Sequence, residues 1–264
     1  MARRRSRRVN AAIGPWLQTR LLAASDGVAI RARHLPAYDG SHDLVVVLAH
    51  GFTGHTDEPA LARVAGWLAA TVGVVGIDFR GHGRSGGEST VGDQEVLDVA
   101  AGVAWARTLG YRCVATVGFS MGGAVVARYA GLGGDTDAVA VVSAPSRWYY
   151  RGTRHARRAH WVIERPLGRW VARTGLATRI EPDGWRPVPV EPRAAVAGIT
   201  VPMLVVHGDA DRYFPLDHAD ELAQAPGAQL WVEPGFGHAE QAMDEALTGR
   251  IAAWLRTALA PSAP

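Results

Sequence analysis

The 264-residue chain contains no lysine, a single cysteine and no apolar run as long as a membrane-spanning helix. Such a helix needs roughly 20 apolar residues in a row, so we expect no membrane span. One cysteine, Cys113, cannot form an internal disulfide, which favours a reducing compartment and a cytoplasmic protein. Cys113 lies in an apolar run, and we expect it to be a small buried side chain.

Metal and cofactor motifs are also missing. The ten histidines and the acids show no H-E-x-x-H pattern, there is no cysteine-rich ligand spacing, and no phosphate-binding loop is present. The sequence therefore predicts neither a metal site nor a cofactor.

Basic charge is unevenly distributed. All 28 cationic residues are arginine, the net charge is +3, and eleven of the arginines lie within residues 146–198, which contain only four acids. A nucleic-acid binder would concentrate such charge on a recognisable binding motif, and none is present, so we expect no nucleic-acid partner. Two explanations stay open: a solvated basic face from an arginine-biased genome, or a basic surface that attracts anionic substrates.

The N-terminus carries five more arginines and includes the pair Arg7-Arg8. A twin-arginine export signal would need a following apolar segment, but here that stretch is short and is broken by Gly14 and Pro15. We expect residues 1–16 to form a flexible basic tail, and residues 260–264 a short tail at the other end.

Short, almost continuous hydrophobic runs alternate with stretches of helical periodicity, which indicates strands buried on both faces of a helix-covered sheet. The sequence S-D-G at 25–27 predicts a hairpin between two edge strands within 17–34. The fold class predicted is α/β, a doubly wound and mostly parallel sheet of about eight strands. The strand-like runs are Leu44–Ala49, Val72–Ile77, Val114–Val117, Ala138–Val142, Met203–Val206 and Gln229–Val232; the helical stretches are Pro59–Thr71, Gln94–Thr108, Met121–Leu132, Leu216–Ala225 and Glu240–Leu259.

One region breaks this alternation. Residues 146–198 contain four tryptophans, a tyrosine pair, five prolines and the arginines, with no comparable strand run. We expect this cap segment to be inserted between two parts of one core, 17–145 and 199–259. It should cover the carboxyl edge of the sheet, where ligands bind in open α/β sheets.

The sequence G-F-S-M-G at 118–122 places Ser120 between two glycines, at the junction of a strand and a helix. Glycines at Gly118 and Gly122 remove the β-carbons that would collide in an abrupt strand-to-helix turn. Such a turn holds a serine in a strained, exposed conformation, as a nucleophile requires.

A serine hydroxyl becomes a useful nucleophile when an imidazole accepts its proton and a carboxylate orients that imidazole. His238 follows the last strand-like run and precedes the final helix, so it lies in a loop at the same sheet edge as Ser120. His50 and His207 lie at the ends of buried strands and are predicted to be packed, hydrogen-bonded groups. Two candidate carboxylates, Asp209 and Asp211, follow a buried strand at that edge.

Acyl transfer also needs backbone N–H groups that bind the developing oxyanion. Met121 follows the nucleophile at a helix N-terminus, where the helix dipole adds partial positive charge. A second N–H is predicted from Phe52 in the sequence H-G-F-T-G at 50–54, directly after the first buried strand. The glycines of that loop let its backbone approach a ligand closely.

Together these motifs resemble those of the α/β-hydrolases over almost the whole chain, from Leu17 to Leu259. The order Ser120, Asp211, His238 is similar to the family's order, and D-F-R-G-H-G-R-S at 78–85 resembles its structural D-x-R-G-x-G-x-S loop. The Arg-Tyr-Phe-Pro sequence after Asp211 resembles the family's acid loop, which implies that Asp211 rather than Asp209 is the triad acid. H-G-F-T-G and the cap length are similar to the serine-aminopeptidase-like branch, with its monoacylglycerol lipases and cinnamoyl esterases.

The resemblance implies a serine hydrolase that cleaves carboxylic esters without a cofactor. The aromatic content of the cap segment predicts a small to medium apolar or aromatic substrate, contacted by Trp148, Tyr149, Trp161 and Trp185. A carbon–carbon bond hydrolase, a thioesterase, an amidase or a non-catalytic small-molecule receptor would carry the same motifs, because fold and triad do not set the substrate. A homodimer is also left open.

Overall fold

The structure is a computed structural model that describes residues 16–260. The expected basic tail lies outside the described residues except for Trp16, which is buried and donates a hydrogen bond from Nε1 to the Thr56 carbonyl oxygen at 3.1 Å. Of the expected C-terminal tail, only Ala260 is described.

Eight strands form one mixed sheet, as predicted, in the order β1-β2-β4-β3-β5-β6-β7-β8. The first hairpin and its pairing with β4 are antiparallel, and the other pairs are parallel. The strands are β1 (Gln18–Ala23), β2 (Ala29–Leu35), β3 (Leu44–Ala49), β4 (Gly73–Ile77), β5 (Cys113–Phe119), β6 (Ala138–Val142), β7 (Met203–Gly208) and β8 (Gln229–Glu233).

Nine α-helices are found in residues 16–260, and a short 3-10 turn follows the sixth. The predicted final helix is interrupted, because Asp244 is extended and caps a new helix by accepting a hydrogen bond from Leu247 N–H. The helices are α1 (Pro59–Leu68), α2 (Glu95–Arg107), α3 (Met121–Gly131), α4 (Arg154–Glu164), α5 (Pro166–Gly175), α6 (Pro192–Ala195), α7 (Asp217–Leu222), α8 (Ala239–Ala242) and α9 (Glu245–Ala258).

The central strands are buried on both faces, as their continuous apolar sequences predicted. Along β3, Val45 and Val47 pack into the layer that holds α2 and α3, while Val46 and Leu48 pack into the layer that holds α1 and α9. Successive side chains of a strand point to opposite faces, so one apolar run serves two hydrophobic layers. Cys113 was expected to be buried but is only partly buried, because it is the first residue of β5.

The cap segment lies between β6 and β7 and contributes α4, α5 and α6. Its last residues belong to the core packing: a β-carbon on Gly131 in α3 would lie 2.0 Å from the Ala195 carbonyl oxygen. The α4–α5 hairpin, in contrast, buries few side chains, namely Ala156 in α4 with Gly168 and Ala172 in α5.

The loop at 78–85 is a buried polar scaffold beneath the site. Asp78 accepts hydrogen bonds from Thr56 N–H (2.6 Å), Arg31 (3.2 Å) and Arg84 N–H (3.1 Å). Arg80 is paired with Asp98 at 2.8 Å, and both side chains are almost fully buried. Charges removed from water need such multiple partners, so this loop is held in one conformation.

Among residues 16–260, no helix is both long and apolar enough to cross a bilayer.

Candidate active site

Ser120 occupies a strained turn between β5 and α3. Its φ and ψ are 49° and −120°, a left-handed conformation that a non-glycine residue rarely adopts. A β-carbon on Gly118 would lie 2.3 Å from the Gly122 carbonyl oxygen, and one on Gly122 would lie 2.4 Å from the His50 carbonyl oxygen. The two glycines are therefore required by backbone contact, as their spacing predicted.

The structure brings Ser120, His238 and Asp211 into one hydrogen-bonded chain. The Oγ of Ser120 lies 2.9 Å from Nε2 of His238, and Nδ1 of His238 lies 2.8 Å from Oδ2 of Asp211. The three residues are separated by up to 118 positions in the sequence and meet at the carboxyl ends of β5, β7 and β8. An Nδ1–H donated to the carboxylate leaves Nε2 free to accept the serine proton.

The Asp211 carboxylate is fully buried but well supported. Its Oδ1 accepts hydrogen bonds from Tyr213 N–H at 2.7 Å and Phe214 N–H at 3.2 Å. Burial raises the pKa of Asp211, but the hydrogen bonds from His238 and from these two backbone amides outweigh that effect, so the pKa is lowered. Asp209, the alternative acid, accepts Gly235 N–H at 2.6 Å in the neighbouring turn and makes no hydrogen bond to His238.

Phe52 and Met121 both line the cavity beside Ser120 and His238. Within residues 16–260, neither backbone N–H donates a hydrogen bond to another protein group. Met121 is the first residue of α3, so its N–H carries the positive end of the helix dipole. The pair can therefore bind an oxygen that gains negative charge next to Ser120.

His50 holds the loop that carries Phe52. It is fully buried, lies 2.7 Å from the Gly51 carbonyl oxygen through Nδ1, and accepts Phe79 N–H through Nε2 at 3.0 Å. Because Nε2 accepts, Nδ1 must carry the proton and the ring is neutral. Burial, together with the neighbouring His82, lowers the pKa of His50 to about 3, which agrees with this assignment.

The loop of His238 is fixed from two sides. Ala239, the next residue, has φ of 52° and donates its N–H to Ser143 Oγ at 3.0 Å. The ring of Tyr213 stacks on the imidazole, with centroids 4.2 Å apart and planes 25° apart. These contacts leave the imidazole little freedom to rotate, so its orientation towards Ser120 is set before a substrate binds.

Glu240 is a buried acid next to the same loops. Its Oε1 accepts Gly51 N–H at 3.2 Å, and a β-carbon on Gly51 would lie 3.3 Å from both that oxygen and Ser120 Cβ. Burial raises the pKa of Glu240, against the lowering effect of hydrogen bonds from its own and the Gly51 backbone N–H.

A cavity of about 700 Å³ opens above Ser120, between the sheet edge and the cap segment. Of the four predicted substrate contacts, Trp148, Tyr149 and Trp185 line it, and their rings pack together, with Trp185 5.2 Å from each of the other two. Trp161 does not line the cavity and is 44% exposed, because it lies on the other face of α4 from Val162 and Ile163.

Charges in the cavity wall are mixed. The lining includes three arginines (Arg147, Arg158 and Arg169) and five acids (Glu58, Glu164, Glu181, Asp183 and Glu240). The basic charge of the cap segment is thus not concentrated in the cavity. Of the two explanations left open by the sequence, this balance favours a solvated basic face over a basic surface that attracts anionic substrates.

Several residues of the site were not predicted from the sequence. Tyr213 and Phe214 were seen only as neighbours of Asp211, and Glu240 only as part of the final helix. Their sequence signal was position alone: each lies within three residues of Asp211 or His238. In the described part of the chain, no cluster of histidine, cysteine and acids has the arrangement of a metal site.

The strained serine, its hydrogen-bonded imidazole and carboxylate, and the sheet order together define the α/β-hydrolase class. The family model for serine aminopeptidase, S33, matches residues 40–184, more than half of the chain. The chain belongs to this family and is a serine hydrolase. No curated protein has a significant sequence match to it.

Solved structures share the fold at low identity. The esterase Pf2001 of Pyrococcus furiosus superposes with a TM-score of 0.72 at 22% identity, over 93% of this chain and 97% of its own. Est1E of Butyrivibrio proteoclasticus, solved with ferulic acid, gives 0.62 at 21% identity, over 92% and 100%. The esterase RhEst1 of Rhodococcus sp. gives 0.67 at 21% identity, over 94% and 100%.

Proposed function

We propose that this serine hydrolase cleaves carboxylic esters of small to medium apolar or aromatic substrates through Ser120, His238 and Asp211. The observation that carries the proposal is the continuous hydrogen-bonded chain from Ser120 Oγ to the buried Asp211 carboxylate, at the base of an aromatic cavity. Structural neighbours that are named esterases support the proposal that the cleaved bond is an ester.

In the first half-reaction, His238 Nε2 accepts the proton of Ser120 as Oγ attacks the acyl carbon. The carbonyl oxygen becomes negative and is bound by the N–H groups of Phe52 and Met121. The imidazolium then gives its proton to the leaving alcohol, and the acyl group remains on Ser120 as an ester.

In the second half-reaction, water replaces the alcohol. His238 takes a proton from the water, hydroxide adds to the acyl carbon, and the same two N–H groups bind the oxyanion. The proton returns to Ser120 Oγ as the carboxylic acid leaves. Asp211, ionised throughout, orients the imidazole and stabilises its positive charge in both halves.

The aromatic rings of Trp148, Tyr149 and Trp185 supply the apolar wall for the acyl or alcohol group. They line the same cavity as Ser120. Apolar walls with a few convergent polar groups are the usual form of a small-molecule site. We expect the length of the preferred acyl chain to reflect the cavity volume of about 700 Å³.

The test compares wild type, Ser120→Ala and a matched Ser25→Ala control in an exposed turn. Initial rates are measured on p-nitrophenyl esters from acetate to palmitate, on methyl ferulate and on a monoacylglycerol. We expect kcat to fall roughly 10⁶-fold in Ser120→Ala, and the control to behave as wild type.

A fluorophosphonate label separates the alternatives. Stoichiometric labelling that Ser120→Ala abolishes, together with ester turnover, supports the proposal. Labelling without turnover of any ester would direct attention to thioester, amide or carbon–carbon substrates. Ligand binding with neither labelling nor turnover would favour a receptor.

A further inference from the structure

The outer surface of the cap segment exposes an apolar group that the cavity does not use. Trp161 on α4 and Leu167, Trp170 and Val171 on α5 are 44%, 60%, 60% and 36% exposed, and none of the four lines the cavity. We call these four residues the outer patch. Two largely exposed tryptophans within one helical hairpin are uncommon on a protein with no partner for that surface.

The same hairpin is strongly basic. Residues 151–173 contain seven arginines and one acid, Glu164, which is already paired with Arg151 and lies 3.0 Å from His160. Four arginine side chains have neither an ion pair nor a hydrogen bond within residues 16–260: Arg154, Arg158, Arg165 and Arg173. Arg158 lines the cavity, so the charges of Arg154, Arg165 and Arg173 are the ones available to an anionic partner at the outer surface.

Helical spacing separates α5 into three faces. Gly168 and Ala172 are buried against α4, where a β-carbon on Gly168 would lie 2.5 Å from the Trp161 carbonyl oxygen. Arg165, Arg169 and Arg173 recur at every fourth position along one flank, and the outer-patch residues of α5 form the other. Arg169 lines the cavity, whereas Arg165 and Arg173 are exposed, so the exposed arc runs from these two guanidinium groups to an apolar stripe.

We propose that the outer patch docks at a lipid surface that contains anionic headgroups. Tryptophan and leucine side chains can enter the boundary between headgroups and acyl chains, while the flanking guanidinium groups bind lipid phosphate. A second copy of the chain fits this surface less well, because two faces of the same positive charge would repel each other.

Docking by this surface would also place the site close to lipid. The inner face of α4 lines the cavity through Ala159, Val162 and Ile163, and its outer face carries Trp161. The cavity and the outer patch are therefore separated by one helix, about 10 Å in diameter. The proposal concerns this surface alone and holds whichever bond the enzyme cleaves.

The test is co-sedimentation of the full chain with vesicles of phosphatidylcholine, with and without about 30% phosphatidylglycerol, at about 0.1 M salt. We compare wild type, the double variant Leu167→Ser/Trp170→Ser and the double variant Arg165→Gln/Arg173→Gln. The control is Leu132→Ser, which changes another exposed leucine (56%) at the end of α3. Hydrolysis of a soluble ester, or circular dichroism if no ester is cleaved, reports that each variant is folded.

Wild type and the Leu132→Ser control should bind the anionic vesicles and not the neutral ones. Each basic residue near the surface contributes roughly fivefold to partitioning, so the double arginine variant should bind more than tenfold less. The Leu167→Ser/Trp170→Ser variant should lose about as much.

Two results would overturn the proposal. If both double variants bind as wild type does, the interaction comes from elsewhere, including the five N-terminal arginines that all the variants share. If wild type binds neither vesicle and light scattering shows a dimer that Leu167→Ser/Trp170→Ser dissociates, the occupant is a second copy of the chain.

Discussion

Helix α3 behind the nucleophile and the α4–α5 hairpin above the cavity differ sharply in what they bury. Ten of the eleven residues of α3 are buried, whereas α4 buries only Ala156 and α5 only Gly168 and Ala172. Buried surface holds a helix in one position, since each apolar side chain removed from water contributes about 1.5–3 kcal/mol. Ser120 therefore adjoins a helix that is held more firmly than the α4–α5 hairpin.

The difference matches the two tasks of the proposed mechanism. In that mechanism, proton transfer between Ser120 and His238 depends on a hydrogen bond of 2.9 Å and tolerates little displacement. Substrate choice, by contrast, would depend on apolar side chains that need only form a wall. Changes near the sheet should therefore alter kcat or folding, and changes in the cap segment should alter KM.

After Ser120→Ala, the largest effect is expected for Asp211→Asn. The amide keeps the shape of the carboxylate but favours the wrong imidazole tautomer, so kcat should fall roughly 10⁴-fold while KM changes little. Steady-state kinetics on the best p-nitrophenyl ester provide the measurement. Asp209→Asn is the matched control and should keep nearly full activity, because Asp209 only accepts Gly235 N–H. Equal losses in both variants would mean that Asp211 has been assigned wrongly.

The next largest effect concerns folding of the nucleophile turn. In Gly122→Ala the new β-carbon would lie 2.4 Å from one backbone oxygen and 2.5 Å from another, so we expect a loss of more than about 4 kcal/mol in unfolding free energy or no folded protein. Gly66→Ala in α1 is the control, because nothing lies within 4 Å of its β-carbon. It should gain about 1 kcal/mol from helix propensity. Denaturant unfolding measures both, and a well-folded Gly122→Ala would contradict the geometry.

The free energy of unfolding should also decrease in acid, because His50, at the end of β3, is buried as a neutral imidazole. Its pKa is depressed from 6.5 when unfolded to about 3 when folded, so its stabilising contribution is complete above pH 6.5 and declines as the pH falls towards 3. At pH 5 this costs about 2 kcal/mol relative to neutral pH. Urea unfolding across this range should show a shallower pH dependence in His50→Gln than in wild type. The exposed His42→Gln should match wild type, and an unchanged slope in His50→Gln would count against a neutral, buried His50.

The contrast between the buried sheet core and the exposed α4–α5 hairpin also explains how much of the fold and site could be predicted from the sequence. The central strands carry continuous apolar runs because both faces are buried, so β3 and β6 were predicted to the residue. Ser120 was predicted from the glycines of its turn and His238 from its place after the last strand, and the structure brings the two side chains within hydrogen-bond distance. Choosing Asp211 over Asp209 needed the family resemblance, since two acids in one loop have the same local signal. Their roles in catalysis remain predictions.

The cap segment was less predictable for a physical reason. Its helices are amphipathic, and an aromatic side chain in such a helix can face a cavity or solvent with the same periodicity. Trp148 and Trp185 turn inward because each indole N–H finds a backbone carbonyl oxygen, those of Pro189 and Thr90. Trp161, on the arginine-rich face of α4, turns outward. Glu240 was missed because its partner, Gly51, is 189 residues away.

The smallest effect is expected in the cap. Trp185→Ala removes one indole from the aromatic wall, and because that wall contacts ground state and transition state alike, KM for a long-chain ester should rise about tenfold with kcat little changed. The acetate ester, too short to reach the wall, should be hydrolysed with nearly wild-type kinetics. Trp254→Ala, a tryptophan on α9 outside the cavity lining, is the matched control and should change neither constant. A large loss of kcat on acetate in Trp185→Ala would mean that the cap segment also orders Ser120, His238 and Asp211. The proposed separation, in which the sheet sets kcat and the cap segment sets KM, would then be wrong.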